Sequence, residues 1–190
     1  MKNIFPKVIS AIFQPLLMPA YAYLLIFNIN SYLSFALNPS VKILLFLIVF
    51  FSTVIIPVLV FTIFKKNNII SSFHMETNEE RNYPYLVTAL IYFGMYLLFS
   101  KTVLHPLYSV FFMAATVLSL ILLFVNLRYK ISAHMAGTGG VTGLLTGIAF
   151  RLNLDLTLTI IISIACAGLV GYARLKQNAH KPSEVYLGFL

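Results

Sequence analysis

The sequence predicts an all-α membrane protein, a polytopic transmembrane helical bundle of about six membrane segments. Of its 190 residues, 60% are hydrophobic and only 9% are charged, and the mean hydropathy is +0.92. Ordinary soluble domains carry far more charge than this. The apolar residues also fall into runs of about 17 to 25 residues, the length that a helix needs to cross a bilayer. We therefore expect a single integral-membrane domain over residues 1–190.

Six apolar segments account for these runs. The first contains Pro15 and Pro19, which must kink it or make it partly re-entrant. The second carries Pro57, which is tolerable inside a helical bundle. Pro84 is suitably placed for the start of the third helix. The predicted segments are residues 9–27, 41–64, 84–99, 107–125, 135–150 and 156–172.

The fifth segment is rich in small residues. Gly139, Gly143 and Gly147 recur at every fourth position and therefore share one helix face. Such a stripe lets a second helix approach closely. Asn153 and Asp155 then supply residues typical of helix caps before the sixth segment. The sequence thus predicts a fifth helix that packs tightly and ends in a short turn.

The charged residues narrow the function classes. The chain has 13 Lys and Arg against 5 Asp and Glu, a net charge of +8. In a membrane protein this excess suits anionic lipid headgroups or an anionic substrate, and no base-reading motif supports nucleic acid. The single cysteine, Cys166, excludes an intrachain disulfide and a thiolate metal cluster. The four histidines are dispersed, so we predict no metal site and no cofactor.

Residues 173–184 place an arginine, a histidine and a carboxylate where the last apolar run ends. If the segment from His180 onward is helical, Glu184 lies one turn beyond it on the same face. There the carboxylate can hold one ring nitrogen while the other attacks. The guanidinium of Arg174 matches the oxygens of a phosphate. The alternative is that these side chains are simply solvated and reach toward lipid headgroups.

The order of the segments favours a shared site. If segments three to six each cross once, the polar stretches after segments two, four and six emerge on one side of the membrane. Ionisable clusters at such positions are commonly functional. The residues sorted to this side are Arg81, His134, Arg174, His180 and Glu184, whereas Lys101, His105 and Arg151 fall on the other.

The last of these stretches resembles a signature motif of the type 2 phosphatidic acid phosphatase superfamily. These are membrane lipid phosphatases related to bacterial acid phosphatases and vanadium haloperoxidases. The family's third motif is Ser-Arg, five residues, His, three residues, Asp. Ala173, Arg174, His180 and Glu184 stand at this spacing. Two positions differ, because alanine replaces the serine and glutamate replaces the aspartate.

The other two motifs are matched less fully. The second, Pro-Ser-Gly-His, resembles residues 131–134, which retain Ser132 and His134. The first, a Lys seven residues before Arg-Pro, is matched only by Arg81, since His74 stands in place of the lysine and the proline comes at Pro84. The resemblance therefore covers about residues 73–184.

The resemblance implies a role for each matched residue. His180 would attack phosphorus to form a phosphohistidine, and Glu184 would orient it. His134 would protonate the leaving oxygen and later act as the base for water. Arg81 and Arg174 would clamp the phosphoryl group, which needs positioning and charge neutralisation but no metal.

Three further residues, Ser132, Lys130 and His74, complete the expected phosphate site. Ser132 would donate a hydrogen bond to phosphate. Ala173 contributes nothing here, because it lacks the hydroxyl that the family uses at its position. Lys130 or a protonated His74 would replace the missing lysine, although neither is matched by the motif.

The resemblance implies a metal-independent phosphatase of a membrane lipid phosphate or a polyprenyl diphosphate, surrounded by membrane lipids and without a nucleic-acid partner. The alternative is a catalytically silent relative that binds or transports an anionic lipid. In the family a helix normally follows the third motif, so the end at Leu190 predicts a short or truncated last helix. The sequence does not indicate an oligomeric state.

The expected location is the inner (cytoplasmic) membrane of a bacterium. The positive-inside rule places the site on the cytoplasmic side, although many bacterial relatives face the periplasm. A re-entrant first segment would change the side of the membrane on which Lys2 and Lys7 lie. Ten cations fall on the motif side (Lys2, Lys7, Lys65, Lys66, Arg81, Arg128, Lys130, Arg174, Lys176 and Lys181) and three on the other (Lys42, Lys101 and Arg151).

Overall fold

The computed structural model of the protein describes residues 4–72 and 78–190, and it confirms the all-α prediction. No strand occurs among the described residues. In chain order the helices are α1 (Ile4–Ile12), a 3-10 turn (Pro15–Leu17), α2 (Met18–Asn28), α3 (Tyr32–Phe35), α4 (Pro39–Phe50), a π-helical turn (Phe51–Ile55), α5 (Ile56–Lys66), α6 (Asn78–Ser100), α7 (Pro106–Asn126), α8 (Ala133–Leu152), α9 (Thr157–Lys176) and α10 (Pro182–Phe189).

Five stretches of the described chain are long and apolar enough to cross a membrane, which confirms a membrane protein. α8 is not among them, although it has 20 residues and covers the predicted fifth segment. Its glycines and threonines lower the hydropathy of its apolar stretch below that of these five stretches. The five stretches are Ile4–Asn28, Pro39–Lys66, Glu79–Ser100, Pro106–Asn126 and Thr157–Lys176.

Prolines shape the first three segments. As predicted, the first is broken, since α1 ends before Pro15 and α2 carries Pro19 in its first turn. The π-helical turn lies directly before the helix that holds Pro57. The prediction that Pro84 begins a helix is wrong, because α6 starts at Asn78 and Pro84 is its seventh residue. Two glutamates in the first turn of α6 favour the earlier start by complementing the helix dipole.

The chain divides into two compact units, which are described separately. The first comprises the described residues up to Lys42 together with Ile131–Leu190, and the second is Ile43–Lys130. Whether these units form the single predicted domain stays a prediction.

The second unit contains a hairpin of α6 and α7. The rings of Phe99 and Phe112 lie 5.4 Å apart between these helices, and Asn126 Nδ2 donates to Asn82 Oδ1 at 2.9 Å. His105 lies in the turn, where its Nδ1 accepts from the Leu107 amide at 3.2 Å and caps α7.

The first unit contains a second hairpin, α8 and α9, which positions the candidate site. Asn153 ends α8 in the left-handed conformation, with φ of 50°. Asp155 Oδ1 then accepts from the Thr157 amide at 3.1 Å. Because the turn is short, the two helices run antiparallel. The beginning of α8 and the end of α9 therefore lie at the same end of the hairpin.

Helix α10 packs against this end of the hairpin, and two glycines allow its approach. A Cβ at Gly188 would lie 2.8 Å from the Ser132 carbonyl oxygen, and one at Gly139 would clash with the carbonyl of Phe189. A Cβ at Gly143 or at Gly147 would meet no atom of residues 4–72 and 78–190 within 4 Å. The predicted glycine stripe thus serves one contact, at Gly139, rather than a continuous interface.

A small apolar core holds these elements together. Met135 of α8, Val170 of α9 and Val185 of α10 are buried side by side with Ala167. Ile9 and Phe13, in α1 and just after it, pack against the same cluster. The N-terminal helix is therefore part of the unit that contains the second and third motif stretches.

Candidate active site

His180 and Glu184 form a short, buried polar contact in the first unit. His180 Nδ1 lies 2.7 Å from Glu184 Oε2. The two side chains are 3% and 9% exposed, so the pair is shielded from solvent. The predicted pairing is therefore observed. The predicted helical register is not, because α10 begins at Pro182 and His180 precedes the N-cap residue Lys181.

The turn that ends α9 places His180. Asn178 adopts φ of 52°, and the Ala179 amide donates to the Arg174 carbonyl at 3.1 Å. These features are typical of a helix that closes with a left-handed residue after its C-cap. The reversal leads directly into α10, whose first turn holds Glu184. An acidic side chain there is stabilised by the helix dipole.

His134 lies in the first turn of α8, at the same end of the hairpin. Its Nε2 donates to the Ser10 carbonyl oxygen at 3.2 Å. Burial, with smaller contributions from the nearby Arg174 and His180, lowers the pKa of His134 to about 3. His134 is therefore neutral at pH 7 in this structure. The electrostatic influence of Arg174 and His180 also places these three side chains in one neighbourhood.

Ser132 is the N-cap residue of α8, and it is fully buried. Its amide donates to the Glu184 carbonyl at 3.2 Å, which ties the start of α8 to α10. Its hydroxyl has no hydrogen-bond partner among the described residues. A buried hydroxyl left unsatisfied costs about 1–3 kcal/mol. A bound water, a ligand or a catalytic role would account for such a group.

Two residues of the site, Ser10 and Gln177, were not predicted from the sequence. Gln177 Nε2 donates to Ser10 Oγ at 2.8 Å and to the Pro6 carbonyl at 2.6 Å. Arg174 Nη1 lies 3.5 Å from the same Ser10 hydroxyl. Ser10 and Gln177 are 167 residues apart in the chain, and Ser10 lies inside an apolar run. No sequence signal marks it.

The remaining predicted residues lie elsewhere. Arg81 and Lys130 belong to the second unit, so their part in the same phosphate site stays a prediction. His74 lies outside the described residues. Ala173 is fully buried in the last turns of α9. Within the first unit, the structure thus brings together His134, Ser132, Arg174, His180 and Glu184.

No grouping of three or more His, Cys, Asp or Glu side chains that could hold a metal ion occurs in residues 4–72 and 78–190. The absence of a metal and of a cofactor from the reaction stays a prediction.

Comparisons with known proteins add no relative. No family model matches the chain, no curated protein matches it, and no solved structure matches it. The class that the fold and sequence define is an all-α membrane protein with five candidate spans. The function is therefore argued from the site alone.

Proposed function

We propose that the protein is a metal-independent phosphatase that hydrolyses a membrane lipid phosphate or a polyprenyl diphosphate through a phosphohistidine. The observation that carries this proposal is the buried His180 and Glu184 pair, whose Nδ1 and Oε2 atoms lie 2.7 Å apart. A carboxylate on Nδ1 fixes the ring tautomer, so that Nε2 carries the lone pair. This is the arrangement of a nucleophile and its orienting group.

The first chemical step transfers the phosphoryl group to His180. Nε2 attacks phosphorus, and the bond between phosphorus and the lipid oxygen breaks. Glu184 stabilises the cation that forms on the ring, as a buried carboxylate does beside an imidazolium. Arg174 neutralises charge on the phosphoryl oxygens. The lipid alcohol leaves with a proton from His134.

The second step regenerates the enzyme. Water attacks phosphorus, the bond from phosphorus to His180 Nε2 breaks, and His134 accepts the proton of the water. His134 is neutral in the ligand-free structure, since burial and Arg174 lower its pKa to about 3. A bound phosphate dianion offsets both causes and raises that pKa. Substrate binding therefore raises the pKa of His134, so that the ring can carry the proton that the leaving group needs.

The proposal is tested by phosphate release from the detergent-solubilised protein, without added metal, across a panel of lipid phosphates and diphosphates. We expect turnover by the parent and less than a tenth of it for His180→Asn. His105→Asn is the matched control, because it makes the same change at a capping residue outside the site and retains an acceptor for the Leu107 amide. Turnover by His180→Asn equal to that of the control would rule out His180 as the covalent residue.

A second candidate function is favoured by one observation. A neutral His134 has one ring proton, and the Ser10 carbonyl already accepts it, so it is not available to a leaving group. A catalytically silent protein that binds or carries an anionic lipid would retain this state. The two functions separate in one experiment, because the silent protein binds a lipid phosphate and releases no inorganic phosphate from it.

We further propose that the protein resides in a bacterial inner membrane with its site on the cytoplasmic side. The excess of lysine and arginine near the motif stretches supports this orientation. The test is a single cysteine at exposed Lys176, in a Cys166→Ser background, labelled in intact cells with a membrane-impermeant thiol reagent. We expect no labelling there and efficient labelling of Arg151→Cys, which is exposed at the opposite end of the hairpin of α8 and α9. The reverse pattern would place the site in the periplasm.

A further inference from the structure

The last turn of α1 is held by three polar side chains of the candidate site. Gln177 donates to Ser10 Oγ at 2.8 Å and Arg174 Nη1 approaches the same atom at 3.5 Å. His134 donates to the Ser10 carbonyl oxygen at 3.2 Å. Of these donors, Arg174 is proposed to bind the phosphoryl group, and His134 is proposed to protonate the leaving oxygen. Ser10 itself is buried.

Helix geometry makes the end of α1 resemble an anion. The last four carbonyl groups of a helix lack intrahelical partners, and the C-terminal end of the helix carries about half a negative charge. Ser10 lies in the last turn of α1, which ends at Ile12. Its carbonyl and hydroxyl oxygens therefore present acceptors and partial negative charge to Arg174 and His134, as a phosphate group does.

We propose that α1 is an internal competitor for the phosphate site, so that phosphate binding and docking of α1 exclude each other. The inference rests on the proposed function, because it takes Arg174 as the phosphate-binding residue and His134 as the acid beside the phosphate. Gln177 holds α1 in its docked position, since its Nε2 donates to Ser10 Oγ at 2.8 Å and to the Pro6 carbonyl at 2.6 Å. The protein is accordingly autoinhibited until a phosphate group displaces the helix.

The chain after α1 allows this movement. Gln14 is extended, with ψ of 136°, and Pro15 follows it. Proline has no backbone N–H and disfavours a helical residue before it, so α1 and α2 do not form one rigid helix. Ile9 and Phe13 anchor α1 to the apolar core. On release they meet acyl chains or detergent, which are as apolar as the core that they leave.

The test uses the full-length protein in detergent with a single cysteine at Ile9, in a Cys166→Ser background. Ile9 packs on the core and makes none of the polar contacts. We expect inorganic phosphate to raise the rate of thiol labelling about fivefold or more over chloride at equal ionic strength, the usual size of coupling between two ligands. Gln177→Ala should raise the rate about fivefold without phosphate.

One control and one repeat measurement make the outcome specific. Lys7→Cys lies on α1 and is exposed, so phosphate should leave its labelling unchanged. Phe13→Cys repeats the measurement at a second core contact. An unchanged rate at both Ile9→Cys and Phe13→Cys overturns the inference, even where lipid phosphates are hydrolysed. A phosphate-dependent rate in a protein without turnover overturns the proposed function and retains the internal competitor.

Discussion

Replacement of Glu184 by glutamine removes the charge beside His180 and preserves the size of the side chain. The Oε2 to Nδ1 distance is 2.7 Å in a pair that is 3% and 9% exposed. A hydrogen bond to a charged group contributes about 1.5–3 kcal/mol. Glutamine can still accept from Nδ1 through its amide oxygen, so it loses the charge and keeps the bond. We expect a fall in kcat of about 10-fold to 100-fold, at about 1.4 kcal/mol for each factor of ten.

The assay is the rate of phosphate release against the concentration of lipid phosphate. KM should stay nearly constant, because Glu184 contacts His180 rather than the phosphate. Glu79→Gln is the matched control, since Glu79 is exposed in the first turn of α6 and belongs to the second unit. A Glu184→Gln protein with the kcat of the parent, or with a raised KM alone, would refute the role of Glu184 as orienter.

Three further predictions follow from the same unit. Burial depresses the pKa of His134 from 6.5 to about 3. Between these values the unfolded chain binds a proton that the folded chain does not. Acidification from pH 7 to pH 5 should therefore lower the free energy of unfolding by about 2 kcal/mol. His134→Asn should remove that part of the pH dependence in urea unfolding. Gly188→Ala should destabilise by about 1–3 kcal/mol, because the new Cβ would lie 2.8 Å from the Ser132 carbonyl. Gly168→Ala should be neutral or stabilising in thermal unfolding, because no atom of the described residues lies within 4 Å of its new Cβ. Ser132→Ala should leave stability unchanged or raise it by about 1 kcal/mol, since its hydroxyl has no partner in the described part of the chain, and it should slow phosphate release.

Each of these has a contradicting result. A His134→Asn protein with the same acid sensitivity as the parent would remove His134 as its source. Equal stability of the two glycine variants would show that α10 does not approach α8 as closely as the structure has it. A Ser132→Ala protein that loses stability and retains full turnover would assign the hydroxyl to folding rather than to phosphate.

Hydropathy predicted the helices well where apolar residues dominate. The runs at 41–64 and 107–125 lie within Pro39–Lys66 and Pro106–Asn126. The start of α6 was missed, because Pro84 is a strong signal for a helix start and the preceding turn is polar. That turn is helical all the same, with Glu79 and Glu80 at the positive end of the dipole.

The motif spacing predicted the pairing of His180 with Glu184, because a four-residue separation is a local property of the chain. The contacts of Ser10 could not be predicted in this way. Ser10 reaches His134 over 124 residues and Gln177 over 167, and its run reads as an ordinary membrane segment. Such a contact depends on how α1 packs against α9, and this packing cannot be deduced from a single sequence.

The covalent intermediate tests the central claim most directly. The protein is mixed with a lipid phosphate radiolabelled in its phosphate group, and the reaction is stopped in alkaline detergent. The account predicts protein-bound label that survives alkali, is lost in acid, and is absent from His180→Asn but present in His105→Asn. Label of equal amount in both variants, or phosphate release by the parent with no bound label at any time, would contradict it.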